Sequence, residues 1–330
     1  MRRALALVAS MLTLSACSGI QSALDPAADQ ASAIGDMWHL MLAVCGFMYA
    51  LVLAFLGVAL VRAWRRETAS SLAGEAALTR MLYGFIALVV VGLVTLAVGS
   101  FLVDRRLFES GPEPLHVRIT GMQWWWQVEY PSGDPAETVI TANELHLPVG
   151  REAEIQLRTN DVIHSLWIPN LNGKLDLIPG RINALRITPR RTGTFRGQCA
   201  EFCGLDHAWM ALDVRVEDKD TFEAWRRHQL EPARAPQAEG ERAGADLFMK
   251  KPCTFCHAIT GSDASARAGP DLTHFGSRTT LAAGARPLTR ESLDAWLADP
   301  QRIKPGAHMP RIPLTDDERA RLVDYLLSLK

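Results

Sequence analysis

Three apolar runs open the chain, and their lengths differ in a way that matters. Met1-Arg2-Arg3 is followed by the short run Ala4 to Leu14. A basic start and an apolar core of that length predict a signal peptide over residues 1–16. The next two runs are longer. Residues 37–61 hold no charge and one histidine, His39, and residues 81–103 hold no charge at all. Each is long enough to cross a hydrocarbon core of about 30 Å as a helix. The loop between them, 62–80, carries Arg62, Arg65, Arg66 and Arg80 against Glu67 and Glu75. The positive-inside rule makes that loop cytoplasmic. The segment 17–36 and everything after Val103 then lie on the outer face, in agreement with a signal peptide. Trp38 and Trp64 sit at the two ends of the first span, where interfacial anchors belong. Cys45, mid-span, reads as an inert small apolar residue.

Beyond the second span the period of the pattern changes. Leu115 to Ile119, Ala153 to Arg158 and Leu212 to Val216 alternate apolar with polar, and Pro131-Ser-Gly-Asp, Pro148-Val-Gly and Pro179-Gly180 punctuate them. Alternation with such breaks predicts a small β-sandwich or barrel over 113–218. Residues 231–241, EPARAPQAEGE, lack large apolar groups and read as a flexible linker. From 243 to 330 the spacing turns helical. Leu293, Trp296 and Leu297 share a helix face, and Thr315 with Glu318 forms a capping box ahead of Leu322, Val323, Leu326 and Leu327. The chain is therefore expected to be a multidomain membrane protein: a transmembrane hairpin of two helices, an all-β domain and an all-α domain.

Charge narrows the function. The 35 basic residues almost cancel the 36 acidic ones, leaving a net charge of -1. That excludes a nucleic-acid binder held by a large positive field. Six cysteines are too few for a disulfide scaffold in a chain of 330 residues, and four of them fall in two tight pairs.

The first pair lies in CAEFCGLDHAWM, which supplies Cys199, Cys203, His207 and Met210, with His164 upstream in NDVIHSLWIP. Two thiolates, two imidazoles and a thioether form a soft set that suits copper. A mononuclear blue-copper loop needs one cysteine; two can bridge a pair of copper ions, with one imidazole for each. A Cys199–Cys203 disulfide and a zinc site on the cysteines and histidines remain as alternatives. The second pair, Cys253-Thr-Phe-Cys256-His257, is the pattern of covalent c-type haem attachment. Each thiol adds to a vinyl group, and His257 becomes an axial ligand. Met249, His274, His308 and Met309 are candidates for the sixth position. Core packing suits Met249 better, and His274 reads as hydrogen-bonded nearby.

A β domain carrying this copper-type loop behind two membrane helices resembles cytochrome c oxidase subunit II with its dinuclear CuA centre, over most of Gly35 to Glu217. The last domain resembles class I cytochrome c, and the two together resemble subunit II of a caa3-type oxidase. The resemblance implies a cupredoxin-like β domain. It implies Met210 and the Glu201 carbonyl as outer copper ligands, and a magnesium ion reached by the Glu201 carboxylate at the boundary with subunit I. It makes Met309, ahead of a proline in KPGAHMPRIP, the sixth haem ligand, with His308 the runner-up. It makes Trp124, first of three tryptophans in GMQWWWQVEY, an electron relay at the surface over CuA. Asp176 matches a family aspartate near the subunit I boundary. The implied partners are oxidase subunits I and III, the membrane and a periplasmic donor such as cytochrome c, with no nucleic acid. The implied function is to pass electrons from that donor through its own haem and CuA to subunit I, where oxygen is reduced to water with proton pumping. Both large domains would face the periplasm from the bacterial inner membrane.

Leu14-Ser15-Ala16-Cys17 also resembles a bacterial lipobox, which makes Cys17 a lipid-modified first residue. One departure stands out: the glutamate that the family commonly places at the start of the second membrane helix is missing from ALTRMLYGF. Glu75 is the nearest candidate and is assigned no proton role. The alternatives are the corresponding subunit of another CuA-containing enzyme, such as a nitric oxide reductase, and a copper-free docking subunit.

Overall fold

The computed structural model describes residues 18–65, 72–109 and 111–330. The expected signal peptide over 1–16, Cys17 and part of the loop expected to be cytoplasmic lie outside the described residues. Two compact units emerge: residues 32–109, and the described residues before and after them.

The first unit is a helical hairpin. Helix α1 spans Asp29–Trp64 and α2 spans Leu72–Phe108. Both run past the apolar stretches 37–61 and 81–103. Apolarity reports where hydrocarbon lies, whereas the helix continues through Ala-rich flanks such as LAGEAAL and ends near Arg105 and Arg106. The helices meet at Phe55 and Phe85, whose rings pack edge to face at 4.7 Å. At Gly99 a Cβ would lie 2.6 Å from Leu40 Cδ2, so glycine lets the helices approach closely.

The second unit begins with a β-sandwich of two five-stranded sheets. The strands are β1 (Leu115–Met122), β2 (Trp125–Tyr130), β3 (Val139–Ala142), β4 (Glu144–Pro148), β5 (Ala153–Thr159), β6 (His164–Trp167), β7 (Leu175–Leu177), β8 (Asn183–Ile187), β9 (Gly193–Cys199) and β10 (Ala211–Glu217). One sheet runs β3-β2-β1-β5-β8 and the other β4-β10-β9-β6-β7. Alternation decides which faces turn inward: Val117 and Ile119, Ile155 and Leu157, Val214 and Val216 are all buried between the sheets. Each such side chain contributes about 1.5–3 kcal/mol on burial.

Two additions go beyond the alternating strands. Residues 18–31 are strapped to the sandwich, with Ala27 N–H donating to the Asn170 carbonyl at 2.7 Å and the Asn170 amide donating to the Gly19 and Asp25 carbonyls. After β10, Asp218 caps α3 (Lys219–Gln229) by accepting from Thr221 N–H, and Phe222 is buried against the sandwich. Trp225 on α3 stacks on His146 at 3.9 Å.

The all-α domain holds α4 (Glu239–Lys250), a short hairpin of β11 (Thr280–Leu281) and β12 (Arg286–Pro287), α5 (Arg290–Ala298), α6 (Pro300–Ile303) and α7 (Asp316–Ser328). Thr315 and Glu318 form the capping box at the start of α7, and Leu293, Leu322, Val323 and Leu326 fill the core. Helices α4 and α7 cross at Gly244, where a Cβ would sit 2.1 Å from the Arg321 carbonyl oxygen.

The expected linker is not a free tether. Helix α4 starts at Glu239, inside 231–241, and Ala233 N–H donates to the Thr260 carbonyl at 2.9 Å. Its lack of apolar side chains reflects backbone pairing and Pro232 packed on Gly261, not solvation. The β and α domains also touch directly: Ala211 N–H donates to the Ala283 carbonyl at 2.9 Å, and the Thr279 hydroxyl donates to the Asp213 carboxylate at 2.7 Å.

Candidate metal and haem centres

Strand pairing assembles the first centre. Strand β6 runs beside β9, with Leu166 opposite Cys199, which brings His164 to the end of β9. The loop from Glu201 to Met210 then folds back, closed by Cys199 N–H donating to the Met210 carbonyl at 3.0 Å. His164, Cys199, Cys203 and Met210 are all buried.

The sulfurs of Cys199 and Cys203 lie 3.7 Å apart and both thiols are free, so no disulfide forms between them. His164 Nδ1 lies 3.9 Å from the Cys199 sulfur, and His207 Nδ1 lies 3.6 Å from that of Cys203. Met210 Sδ is 4.0 Å from the Cys203 sulfur, and the Glu201 carbonyl oxygen is 3.2 Å from that of Cys199. The arrangement has an approximate symmetry: two central sulfurs, one imidazole on each flank and one weak donor at each end. Zinc has no use for a thioether, whereas copper does. The donor set fits a copper pair.

Electrostatics favour a single thiolate in this cluster, at Cys199. A hydrogen bond from Cys203 pulls the Cys199 thiol down to about 3, while the same contact pushes Cys203 up. His164 Nε2 lies 2.8 Å from Asp161 Oδ1. Burial opposes a charge on His164, but the Cys199 sulfur and the Asp161 carboxylate outweigh it and raise the imidazole pKa. The carboxylate holds the proton on Nε2 and turns Nδ1 toward the sulfurs.

The three tryptophans part company as alternation requires. Trp126 is in the core, Trp125 is half-buried on the other face, and Trp124 sits in the turn between β1 and β2. Trp124 donates from its indole nitrogen to the Cys203 carbonyl at 2.9 Å. It is only 7% exposed, which corrects the expectation of a surface residue. The α domain covers it: the His308 ring centre lies 5.5 Å away, and Lys304 Nζ donates to the Trp124 carbonyl at 2.6 Å. Glu201 pairs with Lys174 at 3.8 Å, both partly exposed.

In the α domain, Cys253 and Cys256 are free thiols on a single 3-10 turn. His257 Nδ1 lies 2.7 Å from the Pro270 carbonyl oxygen, so Nδ1 carries the proton and Nε2 remains available. Burial lowers its pKa and keeps the ring neutral, as a ligand must be. At Gly269 a Cβ would stand 2.8 Å from His257 Cε1, so only glycine leaves the ring in place. The half-buried Met309 receives the Trp296 indole N–H on its sulfur at 3.1 Å. Met249 is 39% exposed, not packed in the core as expected, because it falls on the outer face of α4. His274 Nε2 donates to the Glu231 carbonyl at 3.1 Å. These features fit a haem attached at the Cys-x-x-Cys-His turn.

Sequence reasoning assigns no site role to Asp161 or Lys304, and places Trp296 only on a helix face. Asp161 stands three residues before His164 and was legible as a carboxylate beside a ligand candidate. Nothing in the sequence marks a lysine that ends its reach on another domain's carbonyls.

Fold and sites together define a membrane-anchored electron carrier, with a cupredoxin-like copper domain and a cytochrome c domain in one chain. The family described as "Cytochrome C oxidase subunit II, periplasmic domain" matches residues 132–217, and "Cytochrome c" matches 241–330. Cytochrome c oxidase subunit 2 of Alkalihalophilus pseudofirmus is 32% identical over 97% of this chain and 94% of its own length. That of Bacillus subtilis is 32% identical over 72% of this chain and 71% of its own length. The crystal structure of the periplasmic domain of subunit II from Bradyrhizobium japonicum is 32% identical and covers 36% of this chain and 95% of its own, with a TM-score of 0.34. The chain belongs to the cytochrome c oxidase subunit 2 family. With its fused cytochrome c domain it is the subunit through which electrons enter a caa3-type haem–copper oxidase. Its β domain implies CuA, its α domain implies haem, and its helices and family make it an inner-membrane protein.

Proposed function

We propose that this chain takes electrons from a periplasmic donor such as cytochrome c and delivers them to subunit I, in a complex that also contains subunit III. Oxygen is reduced to water in subunit I with proton pumping. When bound, the haem and the copper pair each take up and release one electron at a time. The chain's own residues hold and insulate them. Cys199, Cys203, His164 and His207 would hold the coppers, with Met210 and the Glu201 carbonyl as further donors. Cys253 and Cys256 would attach the haem, and His257 and Met309 would be its protein ligands. Trp124 relays electrons between the domains, and the Glu201 carboxylate is free to leave Lys174 for a magnesium ion at the subunit I boundary. Both large domains face the periplasm, residues 1–16 are removed as a signal peptide, and Cys17 is lipidated.

The observation that carries this reading is the convergence of two free thiols, two imidazole nitrogens and a thioether, His164 coming from β6 and the rest from the segment Cys199 to Met210. The strapping of residues 18–31 to the sandwich supports the topology, since the chain before α1 and the domain after α2 then share one side. The test is metal analysis and copper EPR on the purified complex. Two coppers in this chain with a mixed-valence signal, and a c-type haem that stays with the chain on denaturation, are expected. Haem without a dinuclear copper signal overturns the reading.

A further inference from the structure

We propose that Lys304 is a positioning residue that fixes the haem domain against the copper loop and so sets the path between the two centres. The inference rests on the family reading above. Lys304 follows α6 and lies five residues before Met309, yet its side chain is buried in the β domain's surface. Its ammonium donates to three carbonyls: Trp124 at 2.6 Å, Trp209 at 2.8 Å and Ala282 at 3.3 Å. An ammonium has three donors, and here each is spent.

The three acceptors matter individually. Trp124 donates its indole N–H to Cys203, and Trp209 immediately precedes Met210. Ala282 belongs to the haem domain. Ala282 and Ala283 adopt φ of 55° and 57°, a left-handed region that strains an alanine. The Ala283 carbonyl accepts from Ala211 N–H of the β domain, while the Ala282 carbonyl holds Lys304 from within its own domain. Close to the lysine, Gly306 has φ +99°, and a Cβ there would lie 2.9 Å from Leu205 Cδ1. The loop that bears Met309 thus seats on the loop that bears Cys203, with Lys304 as the pin. The Asp206 carboxylate acts on the ammonium, and because both groups are buried, mobile ions screen them little.

The test uses the assembled oxidase and the Lys304→Met variant, which keeps the apolar stem and removes the ammonium. One electron is injected at the haem by a photoreductant and its arrival at copper is timed. The KM for external cytochrome c and hydrogen exchange over residues 199–210 are measured alongside. Transfer should slow by about tenfold or more, because small misplacements are costly. Exchange should rise and the KM should stay unchanged; a merely structural residue would not split internal transfer from donor binding. Unchanged transfer in a variant with full copper and haem overturns the proposal. If the variant does not assemble, the wild type decides: transfer that is flat between about 10 and 500 mM salt supports a buried pin, and transfer that slows with salt overturns it. Failure of the family reading would show separately, as copper or haem missing from the wild type.

Discussion

Asp161 Oδ1 stands 2.8 Å from His164 Nε2, and the same carboxylate accepts the Gln123 and Val162 backbone N–H groups through its two oxygens. One side chain therefore orients a copper-ligand candidate and ties it to the turn that carries Trp124. Burial works to raise the Asp161 pKa, but the bond to His164 and the two N–H donors outweigh it and hold the group ionised. An ionised partner keeps Nε2 protonated and Nδ1 free.

Asp161→Asn should leave the fold intact and weaken copper retention by about 10–100-fold, the usual cost of losing a carboxylate behind a metal-bound imidazole. Copper content after graded exposure to a chelator measures this. Retention equal to wild type would show that the loop holds the metal without Asp161.

At the other centre the corresponding constraint is steric. Gly269 leaves no room for a Cβ beside the His257 ring, and the neighbouring Pro270 carbonyl fixes Nδ1–H. Gly269→Ala should tilt the ring and lower the fraction of chains that carry haem. The ratio of c-type absorbance to protein reports it, with Gly133→Ala as a control at a glycine with open space around it.

The two domains differ in how much of them is legible in the sequence. Alternation made the sandwich legible, because a half-buried strand must repeat every two residues. The loop Cys199 to Met210 was legible because its ligands are close in sequence. His164 needed β6 and β9 to pair, which no spacing reveals. The burial of Trp124 was not legible at all: it depends on Lys304, His308 and Gly306, from a domain about 180 residues away. The linker misled for a related reason. Composition registers missing apolar groups but is blind to backbone hydrogen bonds such as Ala233 to Thr260.

Helix crossing gives a stability prediction. Gly244 meets the Arg321 carbonyl, which is backbone and cannot swing aside. Gly244→Ala should therefore push α4 and α7 apart and cost about 1–3 kcal/mol or more, despite alanine's better helix propensity. A fall in the melting temperature of the α domain is expected. A rise would mean that the crossing has slack.

The domain boundary should also respond to pH, and the sign follows from two buried groups. His146 Nδ1 lies 3.1 Å from Glu217, its Nε2 lies 3.9 Å from Glu144, and Arg278 of the α domain lies 3.8 Å from the other oxygen of Glu144. Thr141 donates to that oxygen as well, and Trp225 covers the imidazole. Burial alone would lower the His146 pKa, but Glu144 and Glu217 outweigh it and raise it. A raised histidine stabilises fully below its unfolded value of about 6.5, and that contribution fades as pH climbs through the folded value. For Glu144, burial is again outweighed, by His146 first and then Arg278, so its pKa is lowered. A lowered carboxylate stabilises above its unfolded value of about 4.3, and that is lost as pH falls through the folded value. The network should hold best between these limits. His146→Gln removes the alkaline limb and, because His146 is also the first group lowering Glu144, weakens the acid limb. The difference in melting temperature between wild type and His146→Gln should therefore be largest near pH 6 and shrink steadily as pH rises. A difference that grows with pH would mean that His146 is neutral in the folded protein and that Glu144 relies on Arg278 alone.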